Sequence, residues 1–283
     1  GSTLQYNIDY ELGTEWYGSA ATGQGIPYDV VINGGNVYFL ATSTAYRQLR
    51  NNLTINPSKT FALSNWSGGD LRIGGDFINN GTFTANGRSV LFNGSAVQDI
   101  SGSGTGDFAY FDINNGNGVT LSRNITINNE LKLSNGLITL GTNNLILGSS
   151  AAVSGTPSLS NMVVASGTGK LRKMYSDGNG AVAAFTFPIG DASNYSPVEV
   201  TINSGTRASA YVEANVTAAA HPEKNDDGAL YLTRYWTVSQ SGFTTPNYDI
   251  VITYVDPDDI SVPASEGSLV IGKWDGSIWT KPT

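Results

Sequence analysis

Leu71-Arg72-Ile73-Gly74-Gly75-Asp76-Phe77-Ile78-Asn79-Asn80-Gly81-Thr82-Phe83 packs three short apolar runs into thirteen residues, each closed by Gly, Asn or Asp. A strand of about three residues with a tight bend at either end is too short for an ordinary hairpin. It suits a coil that stacks on another coil. The same pattern extends both ways. Upstream are Val30-Val31-Ile32-Asn33-Gly34-Gly35, Val37-Tyr38-Phe39-Leu40, Leu53-Thr54-Ile55-Asn56-Pro57 and Thr60-Phe61-Ala62-Leu63. Downstream are Ser89-Val90-Leu91-Phe92, Val97-Gln98-Asp99-Ile100, Phe111-Asp112-Ile113, Val119-Thr120-Leu121, Ile125-Thr126-Ile127, Leu131-Lys132-Leu133, Leu137-Ile138-Thr139-Leu140 and Leu145-Ile146-Leu147. Apolar and polar residues alternate, so one face of each strand turns inward.

The bends point the same way. Seventeen of the 27 Asn lie in residues 51–150. Asn tolerates left-handed backbone and closes bends with its side chain, and stacked coils let its amides form ladders. Pro57 is the one proline in that stretch, as backbone ladders require. The expected fold is all-β, with a right-handed parallel β-helix over residues 28–157, roughly four to six coils at the usual repeat length. Residues 1–27, with Tyr6, Tyr10, Trp16 and Tyr17, read as a cap or leading strand, because a solenoid end must be covered. After Pro157 the Asn-rich bends stop and strands lengthen, as in Leu230–Val238 and Tyr248–Tyr254. Residues 158–283 therefore read as an immunoglobulin-like β-sandwich.

Composition narrows the function. Only 13% of residues are charged and the net charge is −8, with no Lys/Arg cluster. Nucleic acid and anionic membranes are poor partners for such a surface. Cysteine is absent, which removes disulfides, thiolate metal sites and thiol catalysis together. No run of 18 apolar residues occurs, so no membrane-spanning helix is expected. The opening Gly1-Ser2-Thr3 lacks the basic start and apolar run of a signal peptide.

The chain holds one histidine, His221, in a polar loop beside Pro222, without a second histidine or a Gly-x-Ser-x-Gly elbow. The expected helix holds Asp70, Asp76, Asp99, Asp107, Asp112 and Glu130. Two carboxyls facing one groove are what glycoside hydrolysis needs, and Asp70 with Asp76 is the best such pair. The nearby cations Lys59, Arg72, Arg88, Arg123 and Lys132 are too scattered to serve a lyase centre. The acids read instead as bend residues, and no enzyme activity is expected. Asp256, Asp258 and Asp259 form an acidic turn that is a candidate calcium site, since hard cations take clustered oxygen ligands. Asn225-Asp226-Asp227-Gly228 is a second such turn. No other cofactor is indicated. Gly102-Ser103-Gly104-Thr105-Gly106 lacks the Lys-Ser/Thr of a phosphate loop and reads as a flexible bend. Trp66, in Asn65-Trp66-Ser67-Gly68-Gly69, is the candidate glycan platform, with packing against the coil edge as the plainer reading.

The chain resembles a recurrent arrangement in large surface and secreted proteins of the Bacteroidota exported by type IX secretion. Tyr28–Gly35 with Asn52–Asn56 resembles the opening of their β-helical regions. Gly69–Phe83 resembles their coil repeat. Phe185–Asp191 with Tyr195–Val198 and Tyr235-Trp236 resembles the sandwich that follows. The resemblance implies an extracellular or cell-surface protein of a Gram-negative bacterium and brings no catalytic residues. The family's C-terminal sorting domain is not among these residues, and the sandwich stops early at Trp274–Thr280. Either the chain is a piece of a longer protein, or a final strand comes from another molecule, with Leu4, Tyr6, Ile8 and Tyr10 as the donor segment.

The expected function is a structural or adhesive surface protein or filament subunit. Its partners are copies of itself, neighbouring modules or glycans. The alternatives are a carbohydrate-binding accessory module of a polysaccharide-degrading protein, and a β-helical lyase or hydrolase.

Overall fold

The computed structural model describes residues 1–13, 15–17, 25–40, 46–224, 231–261 and 266–281. The chain is all-β, with a parallel solenoid of about eight coils. Coil one holds β1 (Thr3–Tyr6) and β2 (Tyr10–Leu12), and coil two β3 (Asp29–Ile32), β4 (Val37–Phe39) and β5 (Arg47–Leu49). Coil three holds β6 (Leu53–Ile55), β7 (Thr60–Ala62) and β8 (Leu71–Ile73). Coil four holds β9 (Phe77–Asn79), β10 (Thr82–Thr84) and β11 (Ser89–Phe92). Coil five has β12 (Gln98–Ser101) and β13 (Phe108–Asn114), and coil six β14 (Val119–Leu121) and β15 (Ile125–Asn135). Coil seven has β16 (Ile138–Thr139), β17 (Leu145–Leu147) and β18 (Ala152–Gly155), and coil eight β19 (Val163–Val164) and β20 (Leu171–Met174). Then follow β21 (Gly178–Asn179), β22 (Val182–Phe187), β23 (Ile189–Gly190), β24 (Val198–Thr217) and β25 (Tyr235–Ile252). A hairpin of β26 (Lys273–Trp274) and β27 (Trp279–Thr280) ends the described strands.

Three sheets form the walls. The first runs β1-β3-β6-β9-β12-β14-β16-β19-β23, the second β2-β4-β7-β10, and the third upward from β5 through β8, β11, β13, β15, β17 and β20. Register is kept from coil to coil: Val30 pairs with Leu53, Leu53 with Phe77 and Phe77 with Ile100. The alternation explains why. Leu53, Ile55, Leu71 and Ile73 are fully buried, and the residue between each pair stays half-exposed. Inside, an aromatic column follows the axis. Trp16 stacks on Phe61 at 6.1 Å and Phe61 on Phe83 at 6.2 Å, and Phe108 continues it to Phe92 and Phe111. Such ring pairs add about 0.5–1.5 kcal/mol each beyond area burial.

The structure changes four expectations. The stack has about eight coils because it continues past residue 157: Val163 pairs in parallel with Ile138 and with Ile189. The first residues form the leading strands and not a separate cap, for β1 and β2 belong to coil one. The Gly102–Gly106 bend is held in place, with Gly104 N–H donating to Asn79 O at 2.8 Å and Thr105 N–H to Gly81 O at 2.8 Å. Gly102 has φ +96°, and a Cβ there would stand 2.2 Å from Asn79 O, so only glycine fits.

The immunoglobulin-like sandwich expected from residue 158 is likewise not shown among the described residues. Instead β24 joins β20 antiparallel, pairing Leu171 with Ala214, and carries the third sheet beyond the solenoid. β25 pairs with β24 from Thr217↔Tyr235 to Val198↔Ile252, making one long ribbon. The ribbon bends where Ala208–Ala210 bulge opposite Gly242, between the pairs Arg207↔Phe243 and Tyr211↔Ser241. One half continues the third sheet, and the other takes β22 alongside Val198–Ile202. A single hydrophobic core joins Tyr6 in coil one to Val200 and Ala214 in the ribbon.

Candidate functional site

Stacking forces a polar problem at each bend, where backbone N–H groups leave the strand ladder and need acceptors. Side chains of the preceding coil supply them. Asn52 N–H donates to Asp29 Oδ1 at 3.1 Å, Asp76 N–H to Asn52 Oδ1 at 2.8 Å, and Asp99 N–H to Asp76 Oδ1 at 2.8 Å. Elsewhere Asn36 N–H donates to Asp9 and Thr60 N–H to Asn36. A third ladder joins Lys170 N–H to Asn144 and Asn144 N–H to Asn124. Amide-to-amide rungs link Asn56 to Asn33 and Asn33 to Asn7, both at 2.7 Å.

These ladders decide the fate of the carboxylates. Asp70 accepts from Ser89 N–H, Asp76 from Asp99 N–H, Asp99 from Ser122 Oγ and Asp107 from Asn128 Nδ2. Asp112 takes Lys132 and Ser134, and Glu130 takes Ser154 Oγ. All six expected acids accept a bond from the next coil. Asp70 precedes β8 in the third sheet and Asp76 precedes β9 in the first, so the two lie at different corners and not in one groove.

Trp66 lies on the loop from β7 to β8 and is 61% exposed, so it does not pack against the coil edge. Its backbone N–H donates to the buried Ser64 Oγ at 3.0 Å, which closes the loop. One coil further, Asn86 Nδ2 donates to Leu63 O at 2.7 Å. A groove of about 300 Å³ continues along this corner, lined by Thr84, Asn86, Gly87, Asp107 and Asn128.

No family model, curated protein or solved structure matches the chain. In the acidic turn, Asp256 and Asp258 are exposed while Asp259 is buried. Asp259 Oδ2 accepts from Arg234 Nε at 2.9 Å and from Val255 N–H at 2.7 Å. Arg234, itself buried, also grips Asp191. Asp259 thus belongs to an ion-paired clamp between the ribbon and the solenoid end, apart from its two neighbours. The second acidic turn, Asn225–Gly228, lies outside the described residues.

The donor-strand expectation is corrected. Leu4 and Tyr6 lie in β1, paired with β3 of the same chain, and Tyr10 lies in β2 against β4. Burying Tyr6 in the chain's own core holds the segment there. Ile8, at the bend between them, is 73% exposed.

Two clusters escaped the sequence reading. His221 meets the rings of Tyr235 and Trp279, each at 4.9 Å, and Trp279 Nε1 donates to Glu223 O, which docks the terminal hairpin. The second cluster, around Lys173 and Arg207, is a cleft where the solenoid meets β22. Its cations stand far apart in sequence, and only the fold brings them together.

Proposed function

We propose that the chain is a structural or adhesive module of the cell surface: a stiff β-solenoid spacer that presents its corners and its terminal ribbon to partners. The observation that carries this reading is the use of the acids. In a hydrolase or lyase, carboxylates converge on substrate. Here Asp70, Asp76, Asp99, Asp107, Asp112 and Glu130 each take a donor from the next coil, so their oxygens serve coil-to-coil cohesion. The resemblance to Bacteroidota proteins of type IX secretion supports an extracellular setting. The contacts expected of a sandwich fall in this reading to the ribbon. β25 pairs with β24 alone among the described residues, and Asp249 is its one charged residue. Long edges with so little charge favour pairing with a neighbouring module or copy. The test is immunolabelling of the producing cells, intact and permeabilised, beside a polysaccharide-turnover screen. Labelling of intact cells without turnover is expected. Labelling only after permeabilisation, or turnover lost in Asp76→Asn, overturns the reading.

A second reading, glycan binding at Trp66, rests on its exposed indole, on the loop one coil before the loop that opens the polar groove. Aromatic faces held outward next to amide side chains suit sugar rings. On a glycan array, Trp66→Ala is expected to reduce any retained signal at least tenfold. An array on which both proteins bind alike removes this reading.

A further inference from the structure

Several partly or fully buried cations in this chain come with acids. Lys170 and Arg172 both hold Glu213, at 3.0 and 2.6 Å. Arg234 holds Asp191 and Asp259. Arg47 feels Glu15, and Arg123 feels Asp107. The rule follows from desolvation, because an unpaired charge away from water costs several kcal/mol.

Lys173 breaks the rule. It lies in β20 with its side chain turned inward, only 6% exposed. Its Nζ donates to three carbonyls at the corner of coil seven: Gly148 O at 2.7 Å, Ser149 O at 2.9 Å and Ala151 O at 2.7 Å. No acid acts on it, and burial pushes its ammonium down to about 8. Beside it opens a cleft of about 180 Å³, walled by Phe185 and Val182 and lined by Ser149, Tyr175 and Arg207. Arg207 reaches in from the bend of β24. Its Nε donates to Ser176 O at 3.1 Å and its Nη1 to Gly180 O at 2.6 Å, which leaves Nη2 without a hydrogen bond among the described residues. Tyr175 is 6% exposed and its hydroxyl has no partner.

The carbonyl cage accounts for burying Lys173. It does not account for a second cation in the same cleft, an unused guanidinium nitrogen and an unpartnered phenol. Lys173, Tyr175 and Arg207 all line this one cleft, where no lining residue is a carboxylate, in a protein of net charge −8. The missing partner is an acceptor with negative charge. The apolar wall of Phe185, Val182, Ala183 and Ala184 adds a surface for a ring or a short alkyl chain. The volume limits the occupant to one small unit.

We propose that this cleft binds a small ring-bearing carboxylate, with Arg207 and Tyr175 meeting the carboxylate and Phe185 the ring. Arg207 Nη2 and the Tyr175 hydroxyl donate to the carboxylate oxygens, a charge-assisted pair stronger than neutral bonds. Lys173 contributes charge from behind, while its own bonds stay with the carbonyls. The site is independent of Trp66 and of the surface reading.

Calorimetric and NMR titrations of the intact chain test this, with glucuronate and benzoate as probes and glucose as the neutral control. Saturable binding of at least one carboxylate is expected, with amide shifts confined to residues 148–151, 173–176, 182–186 and 207, and none with glucose. Arg207→Gln is expected to weaken binding at least tenfold. Tyr175→Phe is expected to weaken it about threefold or more while leaving the melting temperature unchanged or raised, since it removes an unpartnered hydroxyl. That second variant keeps the test open if Arg207→Gln disturbs the bend. On binding, the Lys173 ammonium is expected to titrate above its free value. No binding at millimolar probe, equal binding of glucose, or full binding by Tyr175→Phe and Arg207→Gln overturns the proposal.

Discussion

Asp76 was the best catalytic candidate in the sequence, and its surroundings give it other work. Its Oδ1 accepts Asp99 N–H, and its own N–H reaches Asn52. What the position needs is an oxygen on a short side chain, not a charge. Asp76→Asn keeps that oxygen and is expected to change stability by less than about 0.5 kcal/mol. Asp76→Ala leaves the Asp99 N–H without its acceptor and is expected to lose about 1–2 kcal/mol. Urea unfolding of the two variants checks this. Equal losses in both would mean the charge matters more than the acceptor. Single residues also mark where the sequence stopped being readable. Arg47 and Lys173 occupy inward positions in β5 and β20. A cation at an inward position breaks the apolar alternation, so the sequence of Arg47–Leu49 does not read as a strand and that of Leu171–Met174 does not read as part of a coil. Lys173 is tolerated because three carbonyls surround it, which no spacing rule announces.

At the scale of elements, the strands between Val30 and Leu147 were legible because each inward Leu, Ile, Val or Phe sits beside an outward polar residue and an Asn or Gly bend. The last coils were not, because Val163-Val164 is only two residues long and Asn thins out after Asn144, leaving Asn161 alone before Asn179. The ribbon was read as separate strands for a different reason. Its bends at Asn203–Arg207 and Gly242–Pro246 carry turn residues, yet β24 and β25 run through them with bulges. The bulge in which three residues oppose Gly242 makes the sharpest demand. Gly242 has φ +76°, and a Cβ would stand 2.5 Å from Ala208 O and 2.7 Å from Ala210 Cα. Gly242→Ala is expected to cost about 2–4 kcal/mol from backbone strain and crowding together. Gly276→Ala, in the hairpin turn at φ +102° with open space around it, isolates the strain and is expected to cost about 1–2 kcal/mol. Thermal melts of both variants separate the two contributions, and equal costs would show that the bend is not crowded.

The whole molecule behaves differently from two domains joined by a linker, because one core passes from the coils into the ribbon. Solenoid stability is close to a sum over neighbouring coils, so the ends open first unless something fastens them. At the C-terminal end that fastening is Arg234, which bonds Asp191 of the solenoid end and Asp259 of the turn after the ribbon. Burial alone would raise the Asp191 carboxyl. The Arg234 guanidinium and the N–H groups of Ser193 and Asn194 outweigh it and hold the carboxyl below its ordinary range. A carboxyl depressed in the folded state adds stability that is present above its unfolded value, about 3.9, and is lost as pH falls through the folded one. Acid is therefore expected to loosen this end below about pH 4 while the central coils hold. Arg234→Met strands two buried carboxylates and is expected to cost about 3–5 kcal/mol at neutral pH. It is also expected to remove most of the acid sensitivity, since the interaction that depressed Asp191 is gone. Hydrogen exchange read as protection factors resolves where the loss falls. Residues 231–261 and the adjoining β24 should lose protection in the variant, with residues 71–133 unchanged. A uniform loss along the chain would mean the stack and the ribbon open as one unit, and the clamp would then be one contact among many.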